Sequence, residues 1–249
     1  MGRVLADGSA RTWSIRDRPP PAPGRWRPTP PLNAYNPLEP LAAQWRTFAL
    51  RDAQEFEPPP PVPFDSEAYW AEAVEVKRVA DSLTEQQKAI AQRWHLEQGS
   101  VTPAGVWNLE ALRLARERKL DSPTAIALFA ALNAAMYDAL VACWHAKYKW
   151  WTQRPVTAIR DRIDPDFLPY LITPSFPSYL SGHATMSGAA AVVLAAFFPE
   201  QREALWAQAV EAAESRLYGG IHFRSDDDQG LAVGQRVGDK VVARLGGRL

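Results

Sequence analysis

From Ser66 to the C-terminus the chain reads as a series of helical patterns separated by caps and breakers, without the alternating runs of a half-buried strand. SEAYWAEAVEVKRVADSL predicts one helix, and Thr84 followed by Gln87 forms a capping box that opens a second, TEQQKAIAQRWHLE. Thr102 with Pro103, and Ser122 with Pro123, each mark a helix start, because proline suits the first helical position. The segment that opens at Ser122, SPTAIALFAALNAAMYDALVACWHAKYKW, is apolar on nearly every face, which predicts a central helix surrounded by others. Three more helices follow: GHATMSGAAAVVLAAFF, stopped by Pro199; EQREALWAQAVEAAESRLYG, stopped by Gly219 and Gly220; and DDQGLAVGQRVGDKVVARLG. The expected fold is an all-α helical bundle.

Ahead of this pattern, residues 1–65 carry RPPPAPGRWRPTPP, NPLEP and EFEPPPPVPF. Proline fixes φ and lacks a backbone donor, so this part predicts an extended, mostly irregular N-terminal arm. Two uses fit it: a segment that hugs the surface, or a motif for a proline-binding module. The expected division is an arm over 1–65 and a helical catalytic domain over 66–249.

Charge adds no pull toward a polyanionic partner. Lys plus Arg and Asp plus Glu are equal at 28 each, which argues against nucleic acid, and any anion site must be local. The single cysteine, Cys143 in LVACWHA, excludes an internal disulfide and reads as a small buried residue. The apolar stretch 124–146 is interrupted by Asn133, Asp138 and His145, and 189–198 is shorter than the roughly 20 residues a bilayer needs. The start, MGRVLADGSARTW, lacks the apolar core of a signal peptide. A soluble, cytoplasmic protein with no membrane span is expected.

Three short segments carry candidate chemistry. In KYKWWTQRP, Lys147 and Arg154 lie seven residues apart, so both face one way if the helix persists, with Pro155 ending or bending the chain beyond. A basic helix end that complements the macrodipole would carry the same pair. In PSFPSYLSGHATMSG, Ser181, Gly182 and His183 stand where a helix begins, so free amides and the positive end of the dipole form an anion cradle. Ser181 as a plain helix cap fits the same text. In SRLYGGIHFRSD, Arg216 is a forked donor for an oxyanion, His222 can act as nucleophile or ligand, and Asp226 can take the other ring N–H.

Taken together the segments read K-x6-RP, SGH and SR-x5-H-x3-D, in that order. This resembles the signature shared by the PAP2 phosphatase superfamily and the vanadium-dependent haloperoxidases. The departure is Leu180, where the family has proline before SGH. TPSFPSYLSGHAT, RPVTAIRD and SRLYGGIHFR look more like the bacterial haloperoxidase branch, whose members are commonly longer, with a helical region upstream and often an export signal.

The resemblance implies a vanadate bound by Lys147, Arg154, Ser181, Gly182 and Arg216, with His222 coordinating the vanadium. His183 would be the acid–base partner, Asp226 would orient His222, and Lys147 would polarise peroxide while hydrogen peroxide oxidises a halide. Phe176 and Trp144 would wall the halide pocket, although core packing suits both. In the phosphatase reading the same His222 attacks a phosphomonoester to give a phosphohistidine, with phosphate as the competing ligand. A third reading is a catalytically inactive, shortened homologue that retains a phosphate site. His95 and His145 lack companions at metal-ligand spacing and read as packing residues. Asp138, in an apolar helix, needs a cation or backbone donors and would support the site from behind, and Asp227 and Asp228 would complement the start of the last helix.

Overall fold

The structure, a computed structural model, describes residues 8–9, 11–96 and 99–245. The first seven residues, on which most of the reading of export rests, lie outside that range, as do Glu97 and Gly246 at the ends of two expected helices. Eight α-helices occur among the described residues: α1 Glu67–Asp81, α2 Glu85–Arg93, α3 Thr102–Glu117, α4 Ser122–Trp150, α5 Pro155–Arg162, α6 Gly182–Phe197, α7 Arg202–Tyr218 and α8 Arg224–Leu245. The expected capping box forms, Thr84 and Gln87 bonding each other's backbone, and Ser66 also caps α1, its Oγ accepting from Tyr69 N at 3.1 Å. Helix α5 was not expected. Pro155 does not stop the chain; it supplies the first residue of a new helix whose N-cap is Arg154.

Helices α4, α6, α7 and α8 build the main core. α4 is the one helix among the described residues long and apolar enough to cross a bilayer, yet 56% of its most apolar window is buried inside the bundle. The tightest crossing joins α6 to α8, where glycines replace side chains: a Cβ at Gly234 would stand 2.2 Å from the Thr185 carbonyl oxygen. This crossing brings the first turns of α6 and α8 together, and Ser181 N donates to the Asp226 carbonyl at 3.0 Å.

The proline-rich arm lies along the bundle. Trp26 N donates to Trp151 O and Gln153 N to Gly24 O, around an isolated antiparallel bridge between Arg25 and Thr152. Farther on, Leu38 N bonds Ser175 O and the Tyr179 hydroxyl bonds Pro59 O. Asp138 fastens the arm: its buried carboxylate accepts from the amides of Phe48, Ala49 and Leu50 at 2.7, 2.6 and 3.0 Å. The donors are backbone groups, and they belong to the arm rather than to the cluster of candidate residues.

Candidate active site

The three candidate segments meet at one buried cluster. α4 ends at Trp150 with Trp151 in the left-handed conformation, so Lys147 and Arg154 do not share a helix as their spacing allowed. They converge because the chain reverses between them, and the loop 174–181 closes over both. Lys147 Nζ donates to the carbonyls of Pro177 and Ser178 at 2.9 and 2.8 Å. Arg154 donates from Nε to Phe176 O at 2.8 Å and from Nη1 to Ile221 O at 2.7 Å. Its Nη2 is buried and has no partner.

His222 sits at the centre of the cluster. Its Nε2 lies 2.9 Å from Arg154 Nη1 and its Nδ1 lies 2.8 Å from Asp226 Oδ2. A guanidinium has no lone pair to offer, so Nε2 is the acceptor and the proton resides on Nδ1, donated to Asp226. That carboxylate oxygen also accepts from the Ser178 hydroxyl at 2.5 Å and from Phe223 N at 3.1 Å. Ser178 was not singled out in the sequence, where a serine in a proline-rich loop gives no signal of a partner 48 residues away.

Ser181 is the N-cap of α6, its Oγ accepting from Ala184 N at 3.4 Å, which leaves the amides of Gly182 and His183 without intrahelical acceptors. His183 Nε2 lies 2.8 Å from Trp94 O and must donate there, so its lone pair is on Nδ1. His95, next along, comes close enough to disfavour a charge on His183, whereas His145 lies beside Glu57 at 3.6 Å. Arg216 donates from Nε to Ser215 Oγ at 2.8 Å and from Nη2 to Ala91 O at 3.3 Å. Trp144 and Phe176 pack at 5.2 Å between centroids, and the Phe176 ring has Lys147 Nζ 4.8 Å and the Arg154 guanidinium 4.9 Å from its centre. Both rings therefore border the cluster.

Burial dominates the electrostatics. Lys147, Arg154, Arg216, His222, Asp226 and Asp227 are each at most 5% exposed. Desolvation lowers Lys147 to about 7, and Arg154 and Arg216 to about 10. It pushes His222 well below the usual imidazole range, with Arg154 and Lys147 adding to the shift, and His183 likewise, with Arg216 adding. Both imidazoles are thus neutral. Asp226 rises by burial, against the bonds and cations around it. Asp227 is raised more strongly by burial, against the Ser181 hydroxyl and Arg216 beside it. Three basic groups face two buried carboxylates, so basic groups outnumber acidic ones in the cluster. One guanidinium nitrogen of Arg154 is unpartnered, so the cluster has a charged donor free to meet an anionic group.

A pH dependence follows from Lys147. Between about 7 and its ordinary value of 10.5 the unfolded chain holds a proton that the folded one has lost. Stability without an anion should therefore rise with pH across that window, by up to about 1.4 kcal/mol per pH unit from this group. Urea unfolding at pH 7, 8 and 9 measures the slope. Lys147→Met should flatten it, and equal slopes in both proteins would contradict the assignment.

The family model described as the VCPO second helical-bundle domain matches residues 127–208 and 203–247. Among solved structures, the first bacterial vanadium-dependent iodoperoxidase is 33% identical, with 94% of this chain and 62% of that chain covered and a TM-score of 0.83. The chain thus spans less than two thirds of that protein's length. A holo-type bacterial vanadium-dependent chloroperoxidase (18% identity, 98% of this chain and 70% of that one, TM-score 0.80) shares the fold. A transmembrane PAP2-type phosphatidylglycerolphosphate phosphatase from Bacillus subtilis does so more loosely, at 18% identity, 72% and 87% coverage and a TM-score of 0.52. No curated protein matches the chain in sequence.

Proposed function

The chain belongs to the superfamily that joins PAP2 phosphatases with vanadium-dependent haloperoxidases, and on that footing we propose that it is a haloperoxidase using hydrogen peroxide and a halide at a histidine-held vanadate. The observation that carries the reading is Arg154: one nitrogen of its buried guanidinium touches His222 Nε2 while another has no partner. A tetrahedral oxyanion next to His222 would satisfy that nitrogen and offset the excess of basic groups. The 33% identity to an iodoperoxidase favours peroxide chemistry over phosphoester hydrolysis.

Lys147, Arg154 and Arg216 would hold the anion by charge, Ser181 by its hydroxyl and Gly182 by its amide, with Nε2 of His222 as the ligand atom. Vanadate bound there would supply the activation of peroxide and the transfer of oxygen to halide. The chain's own contribution is orientation and proton control. Asp226 holds the Nδ1–H of His222, so the Nε2 lone pair is fixed in direction, and burial keeps the ring neutral. His183, anchored through Nε2 to Trp94 O, keeps a lone pair on Nδ1 to take up or return a proton. Trp144 and Phe176 exclude water from the side of Lys147.

The same neutral, oriented imidazole could attack phosphorus, so phosphatase action on a phosphomonoester is the second reading. Bromination of monochlorodimedone separates the two. The expected result is turnover only with vanadate, peroxide and bromide together, inhibited by phosphate and lost in His222→Ala. Hydrolysis of p-nitrophenyl phosphate that vanadate blocks, without bromination, would overturn the haloperoxidase reading in favour of a phosphatase. Neither activity, with phosphate still bound, would leave an inactive anion-binding homologue.

A further inference from the structure

Helix α1 presents one face to the turn that joins His222 to Asp226. Tyr69, Glu72 and Glu75 are spaced by three, so they share a side of the helix. Each meets a successive part of that turn. The Tyr69 ring packs on Phe223 at 5.4 Å between centroids, and its hydroxyl takes a 2.5 Å bond from Gln153 Nε2, next to Arg154. Glu75 pairs with Arg224 through bonds of 2.7, 2.9 and 3.1 Å. Glu72 receives Ser225 N at 2.9 Å on one carboxylate oxygen and Ser225 Oγ at 2.8 Å on the other.

We propose that Glu72 is a positioning residue of the oxyanion site, acting through Ser225 to fix the first turn of α8 and with it the His222–Asp226 pair. The first amides of a helix lack intrahelical acceptors, and here one is capped by a carboxylate from a different helix. That fixes a point in the chain one residue from Asp226, whose own bond to His222 sets the direction of Nε2. Glu75 grips Arg224 at a more solvent-exposed pair, with the arginine side chain 44% exposed, and so constrains the turn less. Residues 67–81 lie outside the stretch that the family match covers, so the positioning comes from a part of the chain the match does not describe.

The inference rests on the oxyanion reading of the site, and two readouts separate its failure from the failure of that reading. The first is the dissociation constant of inorganic phosphate by calorimetry; the second is the ring 15N signal of His222 in the anion-free protein, resolvable among four histidines. Glu72→Ala should weaken phosphate binding by about tenfold or more, in the range found when a group behind a ligand is removed, and shift the His222 ring signals. Glu72→Gln keeps an acceptor for Ser225 N and should recover binding to within about threefold. Ser225→Ala removes only the hydroxyl bond and should fall between, while Glu75→Ala should match the parent. Unmoved ring signals with parental affinity in Glu72→Ala would overturn the proposal, as would a lowered melting temperature with unchanged ring signals in both Glu72 variants. If the parent protein binds neither phosphate nor vanadate, the oxyanion reading falls, and the anion-free ring signals still decide the role of Glu72.

Discussion

Arg154→Met should weaken binding of inorganic phosphate at pH 7 by about a hundredfold, roughly 2.7 kcal/mol, while leaving the fold close to its parental stability. The two effects have different origins. Binding loses a forked donor whose unpartnered nitrogen and full charge are aimed into the cluster, and no other group can supply both. Folding loses the bonds to Phe176 O and Ile221 O, but it is also relieved of one of three buried cations, and exchanging a buried charge for an apolar side chain of similar size is often neutral. The same variant carries a second signature. Burial is the larger cause of the lowered His222 pKa and Arg154 the next, so removing the cation should raise it without restoring the ordinary imidazole value. Calorimetry and an NMR titration of the ring test both. Affinity unchanged within threefold would remove Arg154 from the anion cage.

Gly234→Ala is expected to cost about 3 kcal/mol or more of stability, at the upper end for a single added methyl group. The new Cβ would lie 2.2 Å from Thr185 O and 3.0 Å from Ala189 N, and both atoms are backbone, so no side chain can swing aside. Relief requires α8 to move away from α6. Gly188 faces the same crossing from α6, where an added Cβ would stand 2.9 Å from Leu231 O. Because Ser181 N bonds Asp226 O across the ends of these two helices, the movement should also weaken phosphate binding by about tenfold. Urea unfolding monitored by circular dichroism gives the first number and calorimetry the second. A loss below about 1 kcal/mol would mean that the helices separate at little cost, contrary to the close contact described.

Much of this architecture was legible along the chain. The period of the apolar positions marked seven of the eight helices, and the Thr84–Gln87 pair marked the start of one, because a capping box is local chemistry between residues three apart. Helix α5 escaped because eight residues give too little periodicity, and Pro155 reads equally as a stop or a start. The candidate residues of the three signature segments were legible as residue types, yet the reason Lys147 and Arg154 converge was not. Their seven-residue spacing suggested a shared helix face, whereas a left-handed residue at Trp151 ends the helix between them.

By itself the sequence determined the all-α class, the order of seven of the helices and the set of charged and imidazole groups, since each of these depends on neighbours within a few turns of chain. Only the tertiary structure decided which nitrogen of His222 carries the proton, that Arg154 keeps an unpartnered donor, that Ser178 bonds Asp226 and Glu72 bonds Ser225, and that Asp138 holds the arm. Apart from the His222–Asp226 bond, those facts depend on contacts between residues tens to more than a hundred positions apart and on how far burial moves each pKa. No local pattern encodes either quantity, because desolvation is set by everything that packs around a group.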